Sequence, residues 1–143
     1  MEKVMAALSG GVDSSVAVFL LKQAGYDCGG SIMTLHIPAP DSIEDARSVA
    51  QRLAVPFYVM DCQAFFRESV IDAFISAYEQ GDTPNPCIVC NRCLKFSHFL
   101  KEAEARGYDK IATGHYARIH KDEGTGRYLL LRAVDPSKDQ SYF

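Results

Sequence analysis

Val4-Met5-Ala6-Ala7-Leu8-Ser9-Gly10-Gly11-Val12-Asp13-Ser14-Ser15 stands near the start of the chain and decides its architecture. Val4–Leu8 is an apolar run of strand length, and Ser9-Gly10-Gly11 is a turn. A helix follows, with Asp13 or Ser14 as its cap and Val16, Ala17, Leu20, Leu21 and Ala24 on its apolar face. Gly25 ends it. Strand, glycine turn and helix in this order form the opening unit of an α/β sheet.

Outward from that unit the alternation continues. Residues 27–34 read as a second strand loosened by Gly29 and Gly30. Pro38 and Pro40 mark a loop, and Ser42 with Asp45 resembles a capping box for a helix with Ile43, Ala46, Val49, Ala50 and Leu53 buried. Residues 57–60 make a third strand. Phe66, Val70, Ala73, Phe74 and Ala77 give a third helix, which ends near Gly81. Residues 82–91 read as a loop, and the next helix runs through Phe96, Phe99, Leu100 and Ala103 to Gly107. A fourth parallel strand at 110–112 leads to Thr113-Gly114-His115, and residues 116–120 and 128–132 flank Gly124-Thr125-Gly126 as a β-hairpin. The expected fold class is α/β: a parallel twisted sheet with helices on both faces and a C-terminal hairpin. Ligands of such folds lie at the carboxyl ends of the strands, where the glycine turn, Met33 and Gly114-His115 converge.

At that edge Ser9–Ser15 reads as an anion site. Two glycines let the backbone wrap an anion, and the helix start offers unpaired N–H groups and a favourable dipole. The hydroxyls of Ser9, Ser14 and Ser15 add donors, and Asp13 can orient a magnesium ion or a water. No Walker A lysine is present. The loop resembles the pyrophosphate loop of enzymes that split ATP into AMP and pyrophosphate to adenylate an oxygen.

Five cysteines occur in the 143 residues, and Cys87, Cys90 and Cys93 fall within seven residues of one another, so that cluster calls for a reason. Pro84 and Pro86 stiffen the chain ahead of it. Arg92 and Lys95 beside Cys90 and Cys93 favour a thiolate nucleophile. The same spacing also suits three ligands of an iron–sulfur cluster or of zinc, and three small buried residues are the plainest reading. Cys28 and Cys62 sit in strand-like runs and read as packing.

Composition narrows the classes. With 48% apolar and 23% charged residues the chain has an ordinary globular make-up. No apolar run is long enough to span a bilayer and no signal-peptide pattern opens the sequence, so a cytoplasmic protein is expected, with neither membrane nor DNA as partner. Net charge is −3, yet residues 1–80 carry −5 and residues 81–143 carry +2, so a polyanion should meet the second half. That half is too mildly basic for strong RNA affinity unaided.

Taken in order and spacing, Ser9–Ser15, T-P-N-P-C-I-V-C-N-R at 83–92, A-T-G-H-Y-A-R at 112–118 and K-D-Q-S-Y-F at 138–143 resemble the tRNA-specific 2-thiouridylase family over essentially the whole chain. The resemblance implies an adenine nucleotide alpha hydrolase-like, Rossmann-type fold. It also implies a tRNA-uridine 2-sulfurtransferase that uses ATP and Mg2+ and takes sulfur from a donor protein carrying a persulfide. Residues 1–143 would be one ATP-binding catalytic domain, with the cysteine loop at 81–93 and a hairpin and tail at 116–143 leading to domains absent from this chain. Carried over by position, Ala7, Leu8, Ser9, Gly10, Gly11, Val12, Asp13, Ser14, Met33 and Gly114 would contact ATP. Cys90 would be the nucleophile, with Asp13 beside it in the catalytic set. Asn85, Pro86 and Cys87 would meet the target base, and His115, Lys138, Asp139 and Gln140 the tRNA. Two departures stand out. The family's second, later cysteine has no counterpart here, and Cys87 occupies a position where many relatives carry Asp; Cys87 or Cys93 is expected to stand in partly for the missing thiol. The rival readings are a GMP or NAD synthetase-like adenylating enzyme, and a non-catalytic ATP- or metal-binding fragment.

Overall fold

A computed structural model describes residues 1–35 and 40–143. Strand β1 (Lys3–Ala7) lies inside the sheet, paired in parallel with β2 (Asp27–Thr34) on one side and with β4 (Lys110–Ala112) on the other. Strand β3 (Phe57–Asp61) flanks β2, giving the order β3-β2-β1-β4. Parallel neighbours need crossovers, and helices α1 (Val12–Gln23) and α2 (Pro40–Arg52) make the first two. The reversal of strand order beside β1 opens a crevice at the carboxyl edge.

Val4, Met5 and Ala6 are all buried because both faces of β1 are covered, which is why its sequence is an unbroken apolar run. Met5 packs with Met60, Cys62, Val70, Leu94, Phe99 and Tyr108, while Ala6 packs with Leu8, Val18, Cys28, Ala46 and Ala50 on the opposite face. The expected sheet with helices on both faces is therefore present. Among the described residues no helix is long and apolar enough to cross a membrane.

After β3 the chain forms two continuous rods. The first is α3 (Gln63–Phe66), a π-helical stretch Arg67–Asp72 and α4 (Ala73–Glu79). The second is α5 (Pro86–Cys90), a π-helical stretch Asn91–His98 and α6 (Phe99–Ala105). Helix α5 packs against the π-helical part of the first rod. Beyond β4, β5 (Ala117–Lys121) and β6 (Tyr128–Arg132) form the expected antiparallel hairpin, with Ile119 opposite Leu130. Asp122 closes its tip by accepting from the Gly124 N–H and the Thr125 hydroxyl.

Five local readings are corrected. Helix α1 is capped by the Gly11 backbone without a side-chain bond, and Asp13 and Ser14 lie inside its first turn. Its buried face is Ser14 and Val18; Val16 and Leu20 are 47% and 58% exposed. Both stripes of this helix are apolar, so periodicity alone could not choose between them. Helix α2 already includes Pro40, so Ser42 and Asp45 lie within it rather than at its cap, while Pro38 lies outside the described residues. The stretch 82–91 is not all loop, because a helix begins at Pro86. Asn85 caps it by accepting the Cys87 N–H at 3.1 Å, and proline suits a first helical position. Phe96 is 41% exposed where the α-helical period puts it inside, because the wider π winding shifts the phase toward Leu94 and Phe99.

Candidate active site

The turn after β1 is wound tightly by its own serines. Ser14 Oγ accepts the Ser9 N–H at 3.2 Å and donates to the Gly11 carbonyl at 3.1 Å, and Ser15 Oγ donates to the same carbonyl at 2.6 Å. The Ser9 and Ser14 hydroxyl oxygens lie 3.1 Å apart. The Ser14 and Ser15 hydroxyls bond within the loop, while the Ser9 hydroxyl, which accepts the Gly11 N–H at 3.3 Å, keeps its own proton. The backbone adds further donors for an anion. The first helical bond is Ser15 N–H to Gly11 C=O, so the N–H groups of Val12, Asp13 and Ser14 have no helical partner. Gly10, at φ +85°, turns its back to α2, where an added Cβ would lie 2.9 Å from that of Asp45.

Two adjoining clefts open at this edge. The first, about 360 Å³, is lined by Ala7, Leu8, Ser9, Asp13, Ser14, Met33 and Gly114 among others. The second, about 390 Å³, is lined by Phe66, Val70, Pro86, Cys87, Cys90 and Asn91 among others. Leu35, Lys95, His115 and Gln140 belong to both walls. Gly10, Gly11 and Val12 shape the loop but do not line the first cleft, and Val12 is 78% exposed. Asn85, Lys138 and Asp139 line neither. The Asp139 carboxylate accepts from the Ala133 N–H at 2.8 Å and the Ser141 hydroxyl at 3.0 Å, bonds that hold its pKa below the usual range.

Cys90 is 9% exposed and ends α5, so it gains nothing from a helix start. Burial pushes its thiol above the usual range; Lys95 pulls it back, while Cys87 and Cys93 push it further up. This corrects the expected thiolate, since desolvation outweighs the nearby cation. His115 is placed by Thr113, whose hydroxyl lies 2.8 Å from Nδ1. Burial, then the charge of Lys95, lowers its pKa, so its ring is neutral at neutral pH.

The three-thiol cluster is not assembled. Cys90 is buried, Cys87 exposed and Cys93 between, and Cys87 and Cys90 belong to α5 while Cys93 lies in the π-helical stretch that follows. Among the described residues no three His, Cys, Asp or Glu side chains group as a metal ion needs. Cys28 and Cys62 are buried, and burial pushes the Cys62 thiol up to about 11.

Three residues escaped the sequence reading. Ser31 Oγ in the wall of the first cleft and Asn91 Oδ1 in that of the second are buried without a hydrogen-bond partner among the described residues. Such atoms are rare in folded proteins and mark a polar spot just behind each cleft wall. No motif or period could single them out. Lys95, read only as a neighbour of the thiols, is the cation shared by both clefts, and among the described residues it forms no ion pair. Replacing it should slow alkylation of Cys90. In Lys95→Met, removing the positive charge raises the Cys90 pKa further, so site-resolved iodoacetamide labelling should run severalfold slower near neutral pH, with its midpoint displaced to higher pH. An unchanged labelling profile would show that the Lys95 charge does not reach the sulfur.

Comparison with known proteins now decides the family. The tRNA methyl transferase HUP domain model matches residues 2–143. The chain belongs to that family. It is 51% identical over 99% of its length to tRNA-specific 2-thiouridylase MnmA of Clostridioides difficile (strain 630), and covers 42% of that protein. The corresponding protein of Moorella thermoacetica is 49% identical over 96% of this chain, again with 42% of its own length covered. The chain thus spans about two-fifths of these relatives. Among solved structures, a predicted subunit of tRNA methyltransferase from Methanocaldococcus jannaschii superposes with a TM-score of 0.56 at 22% identity, covering 96% of this chain and 60% of that one. NH3-dependent NAD synthetase from Campylobacter jejuni gives 0.52 at 21% identity, covering 76% and 45%. These two show the fold.

Proposed function

We propose that this HUP domain activates a tRNA uridine with ATP and receives sulfur at C2, as the ATP-dependent domain of a tRNA-uridine 2-sulfurtransferase. The observation that carries the reading is the shared wall: one cleft holds the phosphate-type loop, the other holds Cys90, and Lys95, His115 and Gln140 border both. A base placed at that wall can present its O2 to a nucleotide on one side and its C2 to sulfur on the other.

An adenine nucleotide fits the first cleft. Backbone N–H groups at the α1 start suit its phosphates, and Ser31, whose hydroxyl has no partner among the described residues, lies in the wall deeper in. The Asp13 carboxylate is an oxygen donor of the kind Mg2+ takes, and the bound ion would neutralise phosphate charge. In the first stage the uridine O2 attacks the α-phosphate and pyrophosphate leaves, so that a poor oxygen leaving group becomes AMP. In the second, Cys90, loaded by attack on the outer sulfur of the donor persulfide with the donor thiolate leaving, attacks C2 through that outer sulfur as AMP departs; a second thiol from outside these residues then attacks the Cys90 sulfur, forming a disulfide with it and releasing the 2-thio base. Neutral His115 can donate or accept one hydrogen bond through the ring nitrogen not bound to Thr113. Pro86 and Cys87 line the base side, with Asn85 holding their helix. Lys138 on the exposed tail is free to meet tRNA phosphate. Residues 1–143 act in this reading as one catalytic domain in the cytoplasm. Sulfur arrives as a persulfide on a donor protein, and the parts that complete transfer in the longer relatives are supplied from outside these residues.

Methyl transfer, which the family's description names, calls for no phosphate loop. A GMP or NAD synthetase-like activity uses ammonia and has no task for Cys90. The test is pyrophosphate release from ATP with and without unmodified tRNA. Release that depends on tRNA is expected. Release indifferent to tRNA would favour the synthetase-like reading, and ATP binding without release would leave a nucleotide-binding module.

A further inference from the structure

Asp13 lines the nucleotide cleft, and one of its oxygens is already in use. The Tyr116 hydroxyl donates to Asp13 Oδ1 at 2.6 Å, across 103 residues of sequence. No hydrogen bond engages Asp13 Oδ2 among the described residues. Tyr116 lies between β4 and β5 and does not itself line either cleft. Its backbone is gripped at both polar groups by one residue of the tail: the Tyr116 N–H donates to Gln140 Oε1 at 3.0 Å, and the Gln140 N–H donates to the Tyr116 carbonyl at 2.9 Å. The tail is itself tied down by Asp139, which accepts from the Ala133 and Ser141 N–H groups. The result is a strut running from the tail, through a tyrosine ring, to a carboxylate beside the phosphate loop.

We propose that Tyr116 is a positioning residue for Asp13: it occupies Oδ1 and holds the carboxylate so that Oδ2 meets the magnesium ion of a bound ATP. An unrestrained Asp side chain at an exposed helix start samples several rotamers, and a metal contact must then bear the entropy of selecting one. A charge-assisted bond from a braced phenol removes that cost in advance. The inference rests on the nucleotide reading of the first cleft and adds to it a residue that touches neither nucleotide nor base.

The test compares ATP affinity with Mg2+ and in EDTA, by calorimetry, for the wild-type chain, Tyr116→Phe, Asp13→Ala and the double variant. Phe keeps the ring and removes only the hydroxyl, and thermal melting checks that each variant is folded. In the wild type Mg2+ should strengthen binding. In Tyr116→Phe that gain should shrink about fivefold or more, the scale of one charge-assisted hydrogen bond. In the Asp13→Ala background, adding Tyr116→Phe should change nothing, since the residue acts through Asp13. A Tyr116→Phe chain with the wild-type gain would overturn the inference while leaving ATP binding intact. So would an equal loss with and without metal, or an equal effect in the Asp13→Ala background. A wild-type chain that binds no ATP would overturn the nucleotide reading and this inference together.

Discussion

Cys90→Ser is expected to abolish sulfur incorporation into tRNA, by about a thousandfold or more, while pyrophosphate release from ATP stays within about threefold of wild type. In the proposed reaction the two steps use different walls of the site. Adenylation would draw on the α1 start and the first cleft, which Cys90 does not line, whereas attack at C2 would need a sulfur atom in the second. Serine is close to cysteine in volume, so a side chain that is 9% exposed can be replaced without opening a cavity. Gel analysis of thiolated tRNA, with the sulfur donor and the remaining parts of the enzyme supplied, reads the first quantity, and a coupled pyrophosphate assay reads the second. Full thiolation by Cys90→Ser would move the sulfur chemistry to Cys87 or Cys93. Loss of both activities together would mean that the thiol serves the packing of the second rod.

Gly114→Val should cost the chain at least about a hundredfold in ATP affinity, together with about 1–3 kcal/mol of stability. A bare Cβ at this position would stand 3.0 Å from the Ser14 nitrogen and 3.2 Å from both the Asp13 carbonyl carbon and Ser14 Cα. Those are backbone atoms of the first turn of α1 and cannot rotate aside. Any relief moves the helix start, which carries the N–H groups offered to phosphate. Calorimetric titration with ATP and urea denaturation measure the two effects. A variant that binds ATP as the wild type does would show that the phosphates do not sit between Gly114 and the loop.

Much of this was legible in residue order because it depends on local chemistry. An apolar pentad, two glycines and an amphipathic stretch specify strand, turn and helix with little help from the rest of the chain, and repetition of that unit leads to a parallel sheet. Pro86 after Asn85 also carried a helix start, although the run of prolines around it reads as loop. The phase of the helices was less accessible. In α1 two apolar stripes compete, and burial of Ser14 rather than Val16 follows from the serine bonds that fix where the helix begins. In the second rod the π winding moves Phe96 outward, and its wider turn leaves no trace in a 3.6-residue pattern.

By itself the sequence determined the α/β class, the order of strands and helices along the chain, the phosphate-type loop and the family. Each of these rests on neighbours in the chain. Only the tertiary structure decided that Cys90 is buried while Cys87 is exposed, that burial pushes the Cys90 thiol up, and that Lys95, His115 and Gln140 stand between two clefts. The same holds for the meeting of Tyr116 with Asp13. These are relations between residues brought together by the sheet, where distance and desolvation set the energy, and neither quantity is written in the spacing of letters.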